Sequence, residues 1–182
     1  MELKKNLRLL ACFLIAVIVS GNTNALVENN MEKKQLKAAP LIKELSWEEV
    51  KGNCEKLAQK LSGTQWAGIV AITRGGLFPA GLLSQYLPIR TIKTINVKSY
   101  EGKSQKEMTI IDQAKLDHEG KDWLIVDDIS DSGSTFAAIK KIYPQATYIS
   151  VYVKPKGKSA ATHFAEEVPQ DLWLQFPWEI KE

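Results

Sequence analysis

A recurring unit constrains this chain more than any other feature of its sequence: a short apolar run that stops abruptly at small or charged residues and leads into a stretch with helical spacing. Gly68–Thr73 (GIVAIT) stops at Arg74-Gly75-Gly76 and is followed by Leu77–Gln85, a predicted helix with Pro79 in its first turn, where proline is tolerated. Trp123–Val126 stops at Asp127 and Asp128 and passes through Asp131, Ser132, Gly133 and Ser134. It leads into Thr135–Tyr143, where Phe136, Ile139 and Tyr143 share a face before Pro144 ends the helix. Thr91–Val97 (TIKTINV) and Thr147–Val153 (TYISVYV) read as two further strands. Upstream, Ser46 and Glu49 form a capping box for a helix running to about Ser62, with Trp47, Val50, Cys54, Leu57 and Leu61 as its buried stripe. Strands alternating with helices predict an α/β fold, a mostly parallel sheet flanked by helices. Ligands of such sheets bind beyond the carboxyl ends of the strands, which is where Arg74-Gly75-Gly76 and Asp127–Thr135 fall.

The second of these loops combines three carboxylates with small, hydroxyl-bearing residues at a helix start. Helix N-termini present N–H groups without intrahelical partners, so Asp131, Ser132, Gly133, Ser134 and Thr135 read as a phosphate cradle. Carboxylates repel phosphate, and their presence calls for ribose hydroxyls, a divalent metal or a cation forming in a reaction. A phosphorylated ribose supplies all three. The plain alternative is a helix cap behind two solvated acids. In the first loop, two glycines let backbone N–H groups approach an anion and Arg74 can fork onto phosphate oxygens, although Arg-Gly-Gly also marks ordinary turns. Val97–Thr109 (VKSYEGKSQKEMT) is polar and lysine-rich, a loop or an exposed hairpin.

The stretch Ile125–Thr135 (IVDDISDSGST) resembles the signature loop of the type I phosphoribosyltransferases, which bind phosphoribosyl pyrophosphate (PRPP). The resemblance runs from about Ser46 to Trp178 and is nearest to the bacterial xanthine-guanine group. Beyond the signature it rests on Val153-Lys154-Pro155, on Pro169-Gln170-Asp171 followed by Trp173, and on Pro177-Trp178. It implies the parallel-sheet fold with a small C-terminal hood that binds the base. Arg74, Gly75 and Gly76 would then form the pyrophosphate loop. Asp127 and Asp128 would contact ribose hydroxyls and magnesium-bound PRPP, with Asp128 the metal ligand and Mg2+ the cofactor. The loop Asp131–Thr135 would hold the 5′-phosphate, and Asp131 would also be the general base near purine N7. Ser99 and Tyr100 would sit on a mobile loop that closes over the site. Lys154 would donate to the purine 6-oxo group, Trp173 would stack on the ring, and the carbonyls of Trp173 and Leu174 would accept from a 2-amino group. Gln175 and Glu179 stand where that group is expected to carry Glu and Asp, which bears on the preference between xanthine and hypoxanthine.

The implied activity is purine salvage: transfer of the phosphoribosyl group of PRPP to N9 of guanine, xanthine or hypoxanthine, by a homotetramer. Two alternatives stay open. One is a PRPP-binding regulator without catalysis; the other is an enzyme for a different base, although Lys154 disfavours the 6-amino group of adenine.

Charge separates the chain in two. Residues 1–45 hold seven Lys and Arg against four Asp and Glu, whereas residues 46–182 hold seventeen of each. The phosphoribosyltransferase-like part, 46–182, therefore has no basic excess for nucleic acid. Of the two cysteines only Cys54 lies in it, so no internal disulfide framework forms, which suits a reducing, cytoplasmic compartment. The leader conflicts with that picture. Lys4, Lys5 and Arg8 precede an apolar run from Leu9 to Val19, then small and polar residues, the order of a secretory signal. The run is shorter than the roughly 20 residues of a membrane span. A working export signal, a tether giving peripheral association with the inner membrane, and an upstream extension with initiation at Met31 are the three readings. PRPP is cytosolic, which favours the last two. Residues 26–45 read as a polar linker.

Overall fold

The computed structural model describes residues 41–101 and 106–180, with backbone only at 99–101 and 106–107. Eight strands and three helices follow in order: β1 (Leu41–Glu44), α1 (Trp47–Leu61), β2 (Gly68–Thr73), α2 (Leu77–Tyr86), β3 (Ile92–Glu101), β4 (Lys106–Asp112), β5 (Trp123–Ser130), α3 (Ser134–Lys140), β6 (Thr147–Val153), β7 (His163–Glu167) and β8 (Leu172–Gln175). Six strands form one sheet in the order β4-β3-β2-β5-β6-β7. All its pairings are parallel except the β3–β4 hairpin. β1 and β8 make a separate parallel pair, the small hood.

Side chains alternate across a strand, and in the central strands β2, β5 and β6 both faces are largely buried. Ile69 and Ala71 of β2, Leu124 and Val126 of β5, and Ile149 and Val151 of β6 pack with Val50, Cys54, Leu57 and Leu61 of α1 and Ala80 and Leu83 of α2. Their neighbours Val70, Ile72, Ile125 and Tyr148 face the other way, onto Phe136 and Ile139 of α3 and onto Tyr143. Tyr152 departs from this alternation and packs in the first cluster, edge-on to Phe176. The continuous apolar runs of β2 and β6 are therefore the signature of strands buried on both sides.

The capping box forms as expected: the Glu49 N–H donates to Ser46 Oγ, and the Ser46 N–H donates to the Glu49 carboxylate. The stripe below it is buried except at Trp47, which is 46% exposed and lies edge-on to Phe78 at a centroid distance of 5.7 Å. β5 continues four residues past its apolar run, because Asp127, Ile129 and Ser130 keep pairing with Ser150, Tyr152 and Val153 of β6. The acidic pair thus lies on the strand rather than after it. α3 begins at Ser134 and ends at Lys140, short of the expected Tyr143. Pro144 biases Tyr143 out of helical backbone, and the chain tightens into a turn at Lys141 and Ile142 instead. Val97–Thr109 is mostly hairpin: β3 runs on to Glu101 and pairs with β4. Residues 102–105 and the side chains of Ser99 and Tyr100, on which a closing loop was expected, lie outside the described residues.

Leu41–Glu44 belongs to a strand, not to the linker expected up to residue 45; its ladder with Leu172–Gln175 and the Leu45 N–H donating to the Gln175 carbonyl hold it to the domain. No described helix is long and apolar enough to cross a membrane.

Candidate active site

A cleft of about 910 Å³ opens between the carboxyl ends of β2 and β5 and the hood. Arg74, Gly75, Leu77, Phe78 and Asp128 line it from the sheet side; Ile42, Trp173 and Gln175 line it from the hood, with Trp178, Glu179 and Ile180 at its edge. Arg74, Gly75, Asp128 and Trp173, singled out in the sequence for binding, thus face one volume with Gln175 and Glu179, singled out as departures.

Each is placed by its element. Gly75 follows β2, and an added Cβ there would lie 2.1 Å from Asp128 Oδ2 and 2.4 Å from its Cγ. The Asp128 carboxyl therefore rests directly on the Gly75 backbone, an approach that only glycine permits. Gly76 serves a different purpose. Its N–H donates to the Ile72 carbonyl at 2.9 Å, and a Cβ would meet the Val126 carbonyl oxygen at 2.3 Å. The expectation that both glycine N–H groups face an anion is corrected for Gly76: it closes the turn into α2 and lets that turn pack on β5. The Thr73–Arg74 peptide bond is cis, and Arg74 is exposed.

Alternation along β5 separates the acidic pair. Asp128 lines the cleft and Asp127 does not. Asp127 Oδ1 accepts from the Asp128 N–H at 3.1 Å, and Asp128 Oδ1 accepts from the Ile129 N–H at 2.7 Å, so each carboxylate braces the backbone that follows it. Burial holds the Asp128 carboxyl up to about 6, partly opposed by the Ile129 hydrogen bond, with nearby Glu179 adding to the rise. Asp127 is pushed well above the usual carboxylate range, first by burial and then by the charge of Asp128. A cation in the cleft would relieve both. No cluster of three or more metal-ligating side chains occurs among the described residues.

Asp131 lies beyond the end of β5 with its side chain 55% exposed, and its two oxygens are held from two directions. Lys154, at the end of β6, is buried and sets its Nζ 3.1 Å from Asp131 Oδ2. Gln170 donates from Nε2 to Asp131 Oδ1 at 2.7 Å. Gln170 was quoted in the sequence only as part of a resemblance; no spacing rule marks it, since its contact spans thirty-nine positions.

After Asp131, the Ser132 and Ser134 hydroxyls are bonded to each other at 2.9 Å, and Thr135 lies in the first turn of α3. Gly133 turns the chain with φ +78°, which a non-glycine residue adopts only under strain. The segment Lys154–Ala160 braces this loop from behind. The Lys154 N–H donates to the Ser130 carbonyl, the Ser130 hydroxyl donates to the Gly157 carbonyl, and a Cβ on Gly157 would lie 2.1 Å from the Ser130 oxygen. Sequence reasoning missed Gly157, a glycine flanked by lysines with no pattern to mark it.

In the hood, Trp173 is 58% exposed while Leu174 is buried in the core, paired with Lys43. Leu174 thus offers the cleft no side chain. Gln175 lines the cleft, and Glu179 accepts from the Phe176 N–H. Phe78, Trp178 and Phe176 stack in series at 4.5 and 4.7 Å, tying the hood to α2.

This chain matches the model of the phosphoribosyl transferase domain over residues 45–174. It is 39% identical over 136 residues to a xanthine-guanine phosphoribosyltransferase of Chromohalobacter salexigens, covering 75% of this chain and 83% of that one. Among solved structures it resembles a purine phosphoribosyltransferase from Pyrococcus horikoshii, with a TM-score of 0.66 and 28% identity over 78% of this chain and 96% of that one. It shares the fold of the Helicobacter pylori xanthine-guanine-hypoxanthine enzyme, with a TM-score of 0.65 and 24% identity over 76% and 94% of the two chains. With the domain model matched over most of the chain and a relative 39% identical across three quarters of it, the chain belongs to the phosphoribosyltransferase family.

Proposed function

We propose that this protein is a magnesium-dependent 6-oxopurine phosphoribosyltransferase, joining guanine, xanthine or hypoxanthine through N9 to the ribose of PRPP and releasing pyrophosphate. The observation that carries this reading is the cleft itself: Arg74, Gly75 and Asp128 form one wall and Trp173 the other, with Asp131 beyond the end of β5 paired to Lys154 at the end of β6. The 39% identity to a xanthine-guanine enzyme supports the choice of base.

In this reading Arg74 and the Gly75 backbone take the pyrophosphate, Asp127 and Asp128 the ribose side, and the loop Asp131–Thr135 the 5′-phosphate through hydroxyls and N–H groups of the first turn. Trp173 is exposed and free to stack on a purine. The ammonium of Lys154 donates to a 6-oxo oxygen and leaves donor facing donor with a 6-amino group, which sets the preference for oxopurines. Asp131 accepts the proton that the purine loses as its nitrogen bonds to the anomeric carbon. The residues fit a magnesium ion of the substrate-borne kind, which takes one or two protein carboxylates and draws its other ligands from phosphates and water; Asp128, whose burial disfavours bare charge, is the ligand. Bound there, the ion would neutralise charge on the departing pyrophosphate. Residues 46–182, with the β1 strand before them, form the catalytic unit, and residues 1–40 a leader. We place the enzyme in the cytoplasm as a homotetramer, by resemblance, with the basic and apolar residues 4–19 supporting peripheral attachment to the inner membrane.

The test is a spectrophotometric assay of the full chain with magnesium, PRPP and guanine, xanthine, hypoxanthine, adenine or uracil. Turnover restricted to oxopurines is expected. Binding of PRPP without turnover on any base would replace this reading with a regulator.

A further inference from the structure

We propose that Gln170 is a positioning residue for Asp131, fixing the carboxylate in the orientation from which it takes the purine proton; this rests on the function proposed above. The geometry leaves the Gln170 amide one orientation. Its Oε1 accepts from the Lys156 backbone N–H at 3.0 Å, and a backbone N–H can donate only to the amide oxygen. Nε2 is thereby turned to Asp131 Oδ1, at 2.7 Å. Lys156 in turn sits in the Lys154–Gly157 turn, closed by the Gly157 N–H donating to the Lys154 carbonyl and anchored to Ser130 by the Lys154 N–H. The amide is thus held by a turn that is itself hydrogen-bonded to Ser130, the residue before Asp131.

Lys154 cannot do this alone. Its Nζ lies on Asp131 Oδ2 here, and in the proposed reaction the same ammonium donates to the base. When a purine draws on Lys154, Asp131 loses part of that partner. A single remaining attachment at one oxygen would let an exposed carboxylate swing about its Cβ–Cγ bond. Gln170 is the second attachment, on the other oxygen, and it carries no charge. It orients the carboxylate without adding the electrostatic pull of a second cation. A neutral donor orients the carboxylate while lowering its basicity less than a second cation would.

The experiment is a double-mutant cycle on the full chain with guanine and PRPP. Gln170→Ala is expected to lower kcat about tenfold, or about 1.4 kcal/mol, and to move either KM less than threefold. Its melting temperature should stay within about 3 °C of the parent, as expected for loss of one part-exposed hydrogen bond. In an Asp131→Asn background the same change is expected to have no further effect on kcat, because there is no carboxylate left to orient. An equal fall in both backgrounds, or a fall expressed only in KM, would overturn the proposal. So would Gln170→Ala with the parent kcat while the parent turns over oxopurines, and the functional reading would then stand. A parent chain with no turnover on any base would instead remove that reading and this one together.

Discussion

Gly75→Ala separates function from fold more sharply than any other substitution the cleft offers. The new methyl carbon would stand 2.1 Å from Asp128 Oδ2, 2.4 Å from Cγ and 2.7 Å from Oδ1. Ordinary contact begins near 3.4 Å, so the carboxylate must retreat by more than about 1 Å. Such a displacement breaks its 2.7 Å bond from the Ile129 N–H, a charge-assisted contact of about 1.5–3 kcal/mol. The stability loss is partly offset, because alanine restricts the unfolded chain by about 0.4–1 kcal/mol where the backbone tolerates it, and Gly75 has no left-handed φ. A net change of about 1–2 kcal/mol corresponds to a few degrees of melting temperature. With Asp128 holding the substrate as proposed above, the effect on the reaction is larger: a misplacement of about 1 Å lowers the rate on the order of 100-fold. Gly76→Ala is the control. Its clashes are with backbone, the Val126 oxygen at 2.3 Å and the Ile72 oxygen and nitrogen at 2.8 and 2.9 Å, and no side chain can swing away to relieve them. We expect Gly75→Ala to keep a melting temperature near the parent with kcat/KM for PRPP down about 100-fold, and Gly76→Ala to be poorly folded. Parent-like kcat/KM in Gly75→Ala, or a larger loss of melting temperature there than in Gly76→Ala, would refute the reasoning.

Other expectations follow from the same geometry. Trp173→Ala removes an exposed ring, so the melting temperature should hold while KM for the base rises about tenfold, a stacking contribution of about 1–1.5 kcal/mol; an unchanged base KM in steady-state assays would exclude stacking. The Asp128 carboxyl, raised to about 6, contributes stability that is present below its unfolded value near 3.8 and is lost as pH rises through 6. Asp128→Asn should therefore melt higher than the parent at pH 7.5 and lose that advantage near pH 4, while abolishing turnover; a lower melting point at pH 7.5 would contradict burial as the cause of the shift. Magnesium with pyrophosphate should stabilise the parent at pH 7.5 and much less at pH 5, where Asp128 is protonated, as read by thermal shift. Gly157→Ala, with its Cβ 2.1 Å from the Ser130 oxygen, should reduce both stability and PRPP affinity; a parent-like chain by calorimetry would show that the brace behind the phosphate loop is dispensable.

Legibility in the sequence tracked how local the cause was. The strands Gly68–Thr73 and Thr147–Val153 were readable to the residue because both faces are buried and every position is apolar or small. The α1 N-terminus was readable because its capping box closes within four residues. The end of β5 was not, because Asp127–Ser130 are extended by pairing with β6 rather than by their own preference. β1 was missed for the same reason: LIKE is four residues long, and its partner lies at the far end of the domain. Within the site, the acidic pair and Arg-Gly-Gly stood out by type and adjacency. The division of labour between Gly75 and Gly76 did not, since it depends on which atom each Cα faces. Gln170 carried no role in the sequence beyond its place in a resemblance and Gly157 carried none at all, because their partners, Asp131 and Ser130, lie far away along the chain.

The parallel ladder that joins Leu41 to Leu172 has a bearing on how the protein is made. Among the described strands β1 leaves the ribosome first and its partner β8 last, so the hood cannot close until nearly all of the domain has been synthesised. In the six-stranded sheet every pair but the central β2–β5 joins consecutive strands, so its pairings involve nearer segments. Contacts between distant segments form late because loop closure opposes them until other contacts shorten the loop. The nascent chain then passes through a stage with a sheet, a glycine loop and an acidic pair but no wall carrying Trp173. In the proposed reading the base-binding wall arrives with β8, so a polypeptide released before Leu172 would hold the sheet side of the cleft without its partner.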